Sequence, residues 1–200
     1  GAIYLSPTVE RVRGDNAMKI VSSGQPWDAR VYRTGGNSIS DGEGVLVQFR
    51  TGSWTANSWL VLGLEAGAYG QADYRRWTLY VKADKSIELQ LHDGTGFASP
   101  LPMSGITVNE NTWYTLLIMT DDQKLLARLW ERDNPAVVGR VETTTPQALK
   151  SPQSLHFVAY VKNSTAWLDS YSEGRIYSLS ESIFGVQETS MPNLPIQTGG

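Results

Sequence analysis

The residues of this 200-residue chain able to do chemistry are two histidines, a few glutamates within strand-like runs, and many aromatic rings. His92 and His156 are the only histidines, and there is no cysteine. Thiolate nucleophiles, disulfides and thiolate zinc sites are therefore excluded by composition. A Ser-His-Asp relay has little to draw on, since His92 precedes an Asp-Gly turn and His156 alternates outward between Leu155 and Phe157. Both read as surface histidines, and they do not stand at metal-ligand spacing. Glycoside hydrolysis needs two carboxylates roughly 5 to 9 Å apart across a cleft. Glu65, Glu88 and Glu131 are the mid-strand acids, each alone in its run, and they read as solvent-facing or ladder-paired. A lyase would draw on a Tyr, His or Arg cluster, for which alternation offers His92 with Tyr80. Gly35-Gly36 and Gly94-Thr95-Gly96 match no phosphate-cradling pattern and read as turns. The expectation is that the chain carries out no catalysis.

The aromatic residues point elsewhere. A sugar ring stacks its C–H face on Trp or Tyr and needs polar partners beside it for its hydroxyls. Seven Trp and nine Tyr exceed what one core should use. Parity assigns Trp59 and Trp77 to the core and Trp113 to a strand entrance. Trp130 shares the parity of Arg128, opposite to Ala127 and Leu129, so it should face away from the core. Tyr80, Gln90, His92 and Tyr160 do the same on their own strands. If those strands share a sheet, then Tyr80, Gln90, His92, Arg128, Trp130 and Tyr160 form an aromatic and polar face suited to a glycan. The other reading is that these long side chains only shield the sheet. A second candidate group lies in loops: Trp27, Trp54, Tyr69, Tyr74 and Arg75. There Trp54 is either a loop anchor or an exposed platform, and Tyr74-Arg75-Arg76 could offer guanidinium donors to an acidic sugar.

The elements that must position these residues are strands. Val45, Val47 and Phe49 alternate with Gln48 and Arg50; Trp77, Leu79 and Val81 with Thr78, Tyr80 and Lys82; Ile87, Leu89 and Leu91 with Glu88, Gln90 and His92. Leu155, Phe157, Ala159 and Val161 repeat the pattern. Trp59 to Leu64 and Trp113 to Met119 are apolar on both faces and belong at the centre of a sheet. Ala83-Asp84-Lys85-Ser86 and Asp121-Asp122-Gln123-Lys124 read as hairpins, and Asn134-Pro135 as the close of the strand ending in Arg132. About a dozen short strands suit one large all-β sandwich. Residues 1–187 read as that single domain and 188–200 as a C-terminal tail or linker. A net charge of −3 argues against nucleic acid as partner, and no apolar run reaches the length of a membrane span. The chain's two ends read like the cut ends of a segment from something larger.

One region carries a resemblance. Asn111-Thr112-Trp113-Tyr114 enters an alternating strand, an Asp-rich turn follows, and a return strand closes on Leu129-Trp130, before Asp133-Asn134-Pro135. With Thr165-Ala166-Trp167-Leu168-Asp169-Ser170-Tyr171 near the end and Gly14-Asp15-Asn16-Ala17-Met18-Lys19-Ile20 near the start, this order is similar to that of concanavalin-A-like and laminin-G-like lectin-type modules. The likeness runs from about residue 12 to 180. It implies an all-β, two-sheet antiparallel jelly-roll sandwich, with ligands met on the concave face or at rim loops. Glycanases of this fold carry a strand with Glu-x-Asp-x-x-Glu or a close variant, and no such strand exists here. The resemblance also implies a structural Ca²⁺ where the first and last strands run side by side. Asp15, Asn16, Glu43 and Asp169 are the residues that could supply oxygens to it. The functional expectation is a non-catalytic, carbohydrate-binding module of a larger extracellular or cell-surface protein, its partner a glycan or polysaccharide. The alternative is a structural or adhesion module that contacts neighbouring protein domains and takes no small ligand.

Overall fold

The computed structural model describes residues 2–6, 17–24, 30–32, 42–120, 123–145 and 155–175. Within them the regular elements are all strands: β1 (Ala2–Ser6), β2 (Ala17–Ser22), β3 (Arg30–Tyr32), β4 (Glu43–Thr51), β5 (Trp59–Ala66), β6 (Arg75–Lys82) and β7 (Ile87–His92). They continue as β8 (Leu101–Pro102), β9 (Trp113–Thr120), β10 (Lys124–Glu131), β11 (Asn134–Thr144), β12 (His156–Lys162) and β13 (Ser164–Arg175). Every pairing is antiparallel. One sheet has seven strands in the order β1-β2-β13-β4-β9-β10-β11, and the other has six in the order β3-β12-β5-β6-β7-β8.

Alternation decides which side chains fill the space between the sheets. Leu60, Leu62 and Leu64 of β5 and Trp77, Leu79 and Val81 of β6 point inward from the six-stranded sheet. They meet Val45, Val47 and Phe49 of β4 and Tyr114, Leu116 and Ile118 of β9. Burial of each such Leu contributes about 1.5–3 kcal/mol relative to leaving it exposed. Tyr114 also ties a loop to this core: its Oη donates to the Thr107 carbonyl at 3.1 Å and accepts from the Asn109 N–H at 2.9 Å.

The two strands apolar on both faces lie inside their sheets, β5 between β12 and β6, and β9 between β4 and β10. The hairpin at Ala83–Ser86 forms, with Lys85 at φ 68° and Lys82 N–H donating to the Ser86 carbonyl at 3.0 Å. Two expectations change. Asn134-Pro135 does not close a strand: β10 ends at Glu131, and Asn134 opens β11, the last strand of its sheet, where a proline is tolerated. Trp59 does not enter the core; it packs on the opposite face of β5 with Val61, Tyr80 and Tyr160. A strand apolar on both faces gives alternation nothing to decide between. The expected boundary near Glu188 lies outside the described residues.

Candidate functional site

The outer face of the six-stranded sheet is laid out in rows that cross its strands. One row runs His156–Glu65–Arg76–His92, each residue directly opposite the next on β12, β5, β6 and β7. It contains both histidines of the chain. The next row is Val158–Gly63–Thr78–Gln90, and the third is Tyr160–Val61–Tyr80–Glu88.

The first row is unusual because its charges are buried. Glu65 is 3% exposed and Arg76 4%, where carboxylates and guanidinium groups are rarely found unless paired. Tyr74 Oη and Tyr160 Oη both donate to Glu65 Oε1, at 3.1 and 3.3 Å. Tyr160 reaches Glu65 from the third row, across the row that holds Gly63. Arg76 Nε donates to Thr78 Oγ1 at 2.7 Å and lies 3.7 Å from Glu65 Oε1. The guanidinium carbon sits over the rings of Tyr160 and Phe97, at 5.4 and 5.6 Å from their centroids. Arg76 Nη2 is buried and has no hydrogen-bond partner among the described residues, and the same holds for His156 Nδ1.

Two loops wall this end of the face. One joins β5 to β6 and carries Tyr69 and Tyr74; the other follows β7 and carries Phe97, which bridges back to His92. His92 meets Phe97 at 4.7 Å and Tyr74 at 4.9 Å, both edge-on, and Tyr69 lies 6.5 Å from Phe97 at a 36° tilt. Tyr69 is 61% exposed and Phe97 49%, so the rings at the rim face solvent, while Tyr74 beneath them is buried and His92 half-buried. Arg75 holds the loops in place. Its Nη1 donates to the Ala72 and Tyr74 carbonyls, both at 2.9 Å, and it packs where Gly94 lacks a Cβ. Gly94 has φ 93°, so the turn needs glycine on two counts. Asp93 Oδ1 caps that turn, accepting from Thr95 Oγ1 at 2.6 Å and Thr95 N–H at 2.9 Å; these bonds pull the carboxyl down to about 2. The Gly94 N–H donates to His92 Nδ1 at 3.1 Å. A neutral His92 ring therefore keeps its proton on Nε2.

The structure redistributes the residues expected at a site. Tyr80, Gln90, His92 and Tyr160 do share the outer face of the six-stranded sheet. Arg128 and Trp130 do not: they lie on β10, on the outer face of the other sheet, with the whole core between. Correct parity had placed all six away from the core, but parity does not say which sheet a strand joins. Arg128 stands opposite Arg140 and 3.5 Å from Glu142, while Trp130 packs on Leu117, Met119 and Leu126. Burial, and then Arg140, push the Arg128 guanidinium pKa downward. Tyr80 stacks near Trp59 at 5.1 Å, and burial raises its phenol to about 12. Gln90 Nε2 donates to Glu88 Oε1, which leaves Tyr80 and Gln90 farther along the face from the charged row.

Of the loop group, Tyr69, Tyr74 and Arg75 join His92 and Tyr160 in one cluster. Trp54 does not: it packs partly buried on the core, its Nε1 donating to Thr51 Oγ1 at 3.0 Å, and so it is a loop anchor. Trp27 lies outside the described residues. Glu65, Phe97 and His156 were not among the expected site residues, and Arg76 entered only through Tyr74-Arg75-Arg76, as a guanidinium donor to an acidic sugar. The signal for Phe97 was an aromatic in a loop otherwise rich in Gly, Ser and Pro.

Of the four residues expected around calcium, Glu43 and Asp169 are described, and they stand too far apart to share one ion. Asp169 pairs across from Gln48, five positions along β4 from Glu43, which at ~3.4 Å per residue is about 17 Å. Glu43 also shares the inward parity of Val45, whereas Gln48 faces outward. Asp169 Oδ1 accepts from the Ser170 N–H at 2.6 Å. Asp15 and Asn16 lie outside the described residues. No cluster of three or more His, Asp or Glu able to hold a metal occurs among the described residues.

No family model matches the chain, and no curated protein matches it in sequence. Solved structures match the fold. The exoplasmic/lumenal domain of VIP36 in its Ca²⁺-bound form superimposes with a TM-score of 0.63 at 8% identity, over 89% of this chain and 84% of that one. The same domain in its Ca²⁺/Man3GlcNAc-bound form gives 0.63 at 7% identity, over 92% and 87%. The carbohydrate binding module CBM66 from Bacillus subtilis gives 0.54 at 12%, over 86% and 91%. Toad ovary galectin in complex with thio-digalactose gives 0.51 at 10%, over 74% and 99%. With two antiparallel sheets packed on one core and these neighbours, the chain is a jelly-roll sandwich of the concanavalin-A-like, lectin-type fold.

Proposed function

We propose that this chain is a non-catalytic carbohydrate-binding module of an extracellular or cell-surface protein. In this reading it meets its glycan on the outer face of the six-stranded sheet, at the end built by Tyr69, His92 and Phe97. The observation that carries the reading is the pairing of two solvent-facing rings with a polar row beneath them whose Glu65 and Arg76 are buried. Exposed rings supply the stacking surface for pyranose C–H faces, and the row supplies hydrogen-bonding groups held by their neighbours before a ligand arrives. The fold's neighbours include proteins solved with mannose-containing glycans and thio-digalactose, which makes glycans the first ligand class to test.

A glycan array probed with the purified chain tests this. Binding should fall at least tenfold in a Tyr69→Ala/Phe97→Ala variant. Both rings are half-exposed or more, so the fold should tolerate their loss. An Arg128→Ala/Trp130→Ala variant should bind as the parent does, because those residues face away across the other sheet. If the second variant loses binding and the first keeps it, the site is on the wrong sheet.

A further inference from the structure

We infer that the glycan taken at this site is an acidic one, carrying a carboxylate or sulfate that docks against the Arg76 and His92 end of the charged row. This rests on the carbohydrate-binding reading and narrows it. The argument is an inventory of donors and acceptors. Arg76 has five N–H donors. Nε is taken by Thr78 Oγ1, and Nη2 is buried without an acceptor among the described residues. Glu65 does not fill that need. Its Oε1 lies 3.7 Å from Arg76 Nε, outside hydrogen-bond range, and already accepts from Tyr74 and Tyr160. His92 adds a second donor, because Gly94 N–H occupies Nδ1 and leaves the proton on Nε2. Both residues thus offer hydrogen, and a ligand that satisfies them must accept.

A sugar hydroxyl can accept, but a carboxylate or sulfate does so with charge assistance, roughly doubling the strength of each bond. Burial sharpens the preference, since an unpaired buried donor is costly and an anion near it is weakly screened. The row holds one carboxylate, Glu65, against one guanidinium and two imidazoles, so it has no surplus of negative charge to repel an acidic ligand. Access requires moving one side chain. Of the two rings that enclose the guanidinium, Tyr160 is buried and Phe97 is half-exposed. Phe97 is thus the ring whose shift would bring a stacked ligand's anionic group to Arg76.

The test compares oligogalacturonate with its methyl ester, which keeps shape and hydroxyls but removes the charge, by calorimetry at low salt. Neutral galactan and dextran sulfate are measured alongside. The acid form should bind at least tenfold more tightly than the ester, and a Glu65→Gln/Arg76→Met variant should bind both forms equally. This double change keeps the buried volume and strands no charge; a melting curve confirms that the variant is folded. Dextran sulfate that binds with the same dependence on Arg76 supports the anion site and assigns it to sulfate. Galactan or the ester binding as tightly as the acid overturns the acidic ligand while leaving a carbohydrate-binding module. A preference for the acid that survives the double variant also overturns it, since the anion then docks elsewhere. No binding to any of the four, together with a blank glycan array, removes both readings.

Discussion

Replacing Arg76 by methionine should be among the most damaging single changes on the outer face of the six-stranded sheet. The side chain is removed from a site where its partner, Glu65, is also almost wholly buried. Breaking a buried ion pair from one side typically costs 3–5 kcal/mol, because the remaining charge has lost its compensation. Here the cost should fall at the lower end, about 3 kcal/mol. The pair is not in hydrogen-bond contact at 3.7 Å, and Tyr74 and Tyr160 continue to donate to Glu65. For a chain of this length, 1 kcal/mol moves Tm by about 2–4 °C, so Arg76→Met should melt roughly 6–12 °C below the parent. Glu65→Gln/Arg76→Met should recover most of that loss. Glutamine still accepts from both tyrosines, and methionine fills the space without a charge, which leaves a net cost of about 1 kcal/mol. Urea unfolding of the parent, both single variants and the double variant, with the m value checked for constancy, gives the coupling energy directly. It should be about 2 kcal/mol or more. An Arg76→Met cost below 1 kcal/mol, or a double variant no more stable than the single, would refute this account of the row.

Two further outcomes follow from the same face. Gly63→Ala should destabilise by about 1–3 kcal/mol, because a Cβ there would sit 2.6 Å from Thr78 Cα and press on the Trp77 carbonyl, both backbone atoms; an unchanged urea midpoint would show that the strands can part at no cost. Asp93 is held near 2 in the folded chain, below its unfolded value, so its contribution to stability is present above about pH 4 and is lost as pH falls toward 2. Solvent screens this part-exposed turn, so that contribution stays under about 1 kcal/mol. Thr95→Val should move the Asp93 titration midpoint upward, as followed by NMR, since the Thr95 hydroxyl bond is the largest cause of the shift.

Strand positions and their inward residues were legible in the sequence because alternation is local. Ile87, Leu89 and Leu91 had to face one way and Glu88, Gln90 and His92 the other, whatever they packed against. Sheet membership was not legible, because it depends on which strands pair across long separations. His156 and Glu65 are 91 residues apart, yet they stand side by side only because β12 adds to β5 in one register. A slip of a single residue would have sent one of them into the core. For the same reason Arg128 and Trp130 could be read as outward but not as lying on the opposite sheet. Trp59 shows a different limit: where both faces of a strand are apolar, hydrophobicity does not distinguish inside from outside. Glu65 read as an ordinary sheet-surface charge and Arg76 as an open donor, and their burial depends on aromatic side chains brought over them from two separate loops.

The ends of the six-stranded sheet bear on how such a chain behaves when many copies are crowded together. Its outermost strands, β3 and β8, are three and two residues long. A ladder that short offers an incoming strand almost no backbone to pair with, which is one way sheet proteins avoid edge-to-edge aggregation. On the other sheet, β11 is eleven residues long, but it begins at Asn134-Pro135 and sets exposed Arg140 and Glu142 on its outward positions. Proline removes a donor from that ladder, and charged side chains discourage a flat apolar neighbour. At β3, β8 and β11, then, short ladders, a proline and outward charges each discourage the strand of a second copy from pairing there.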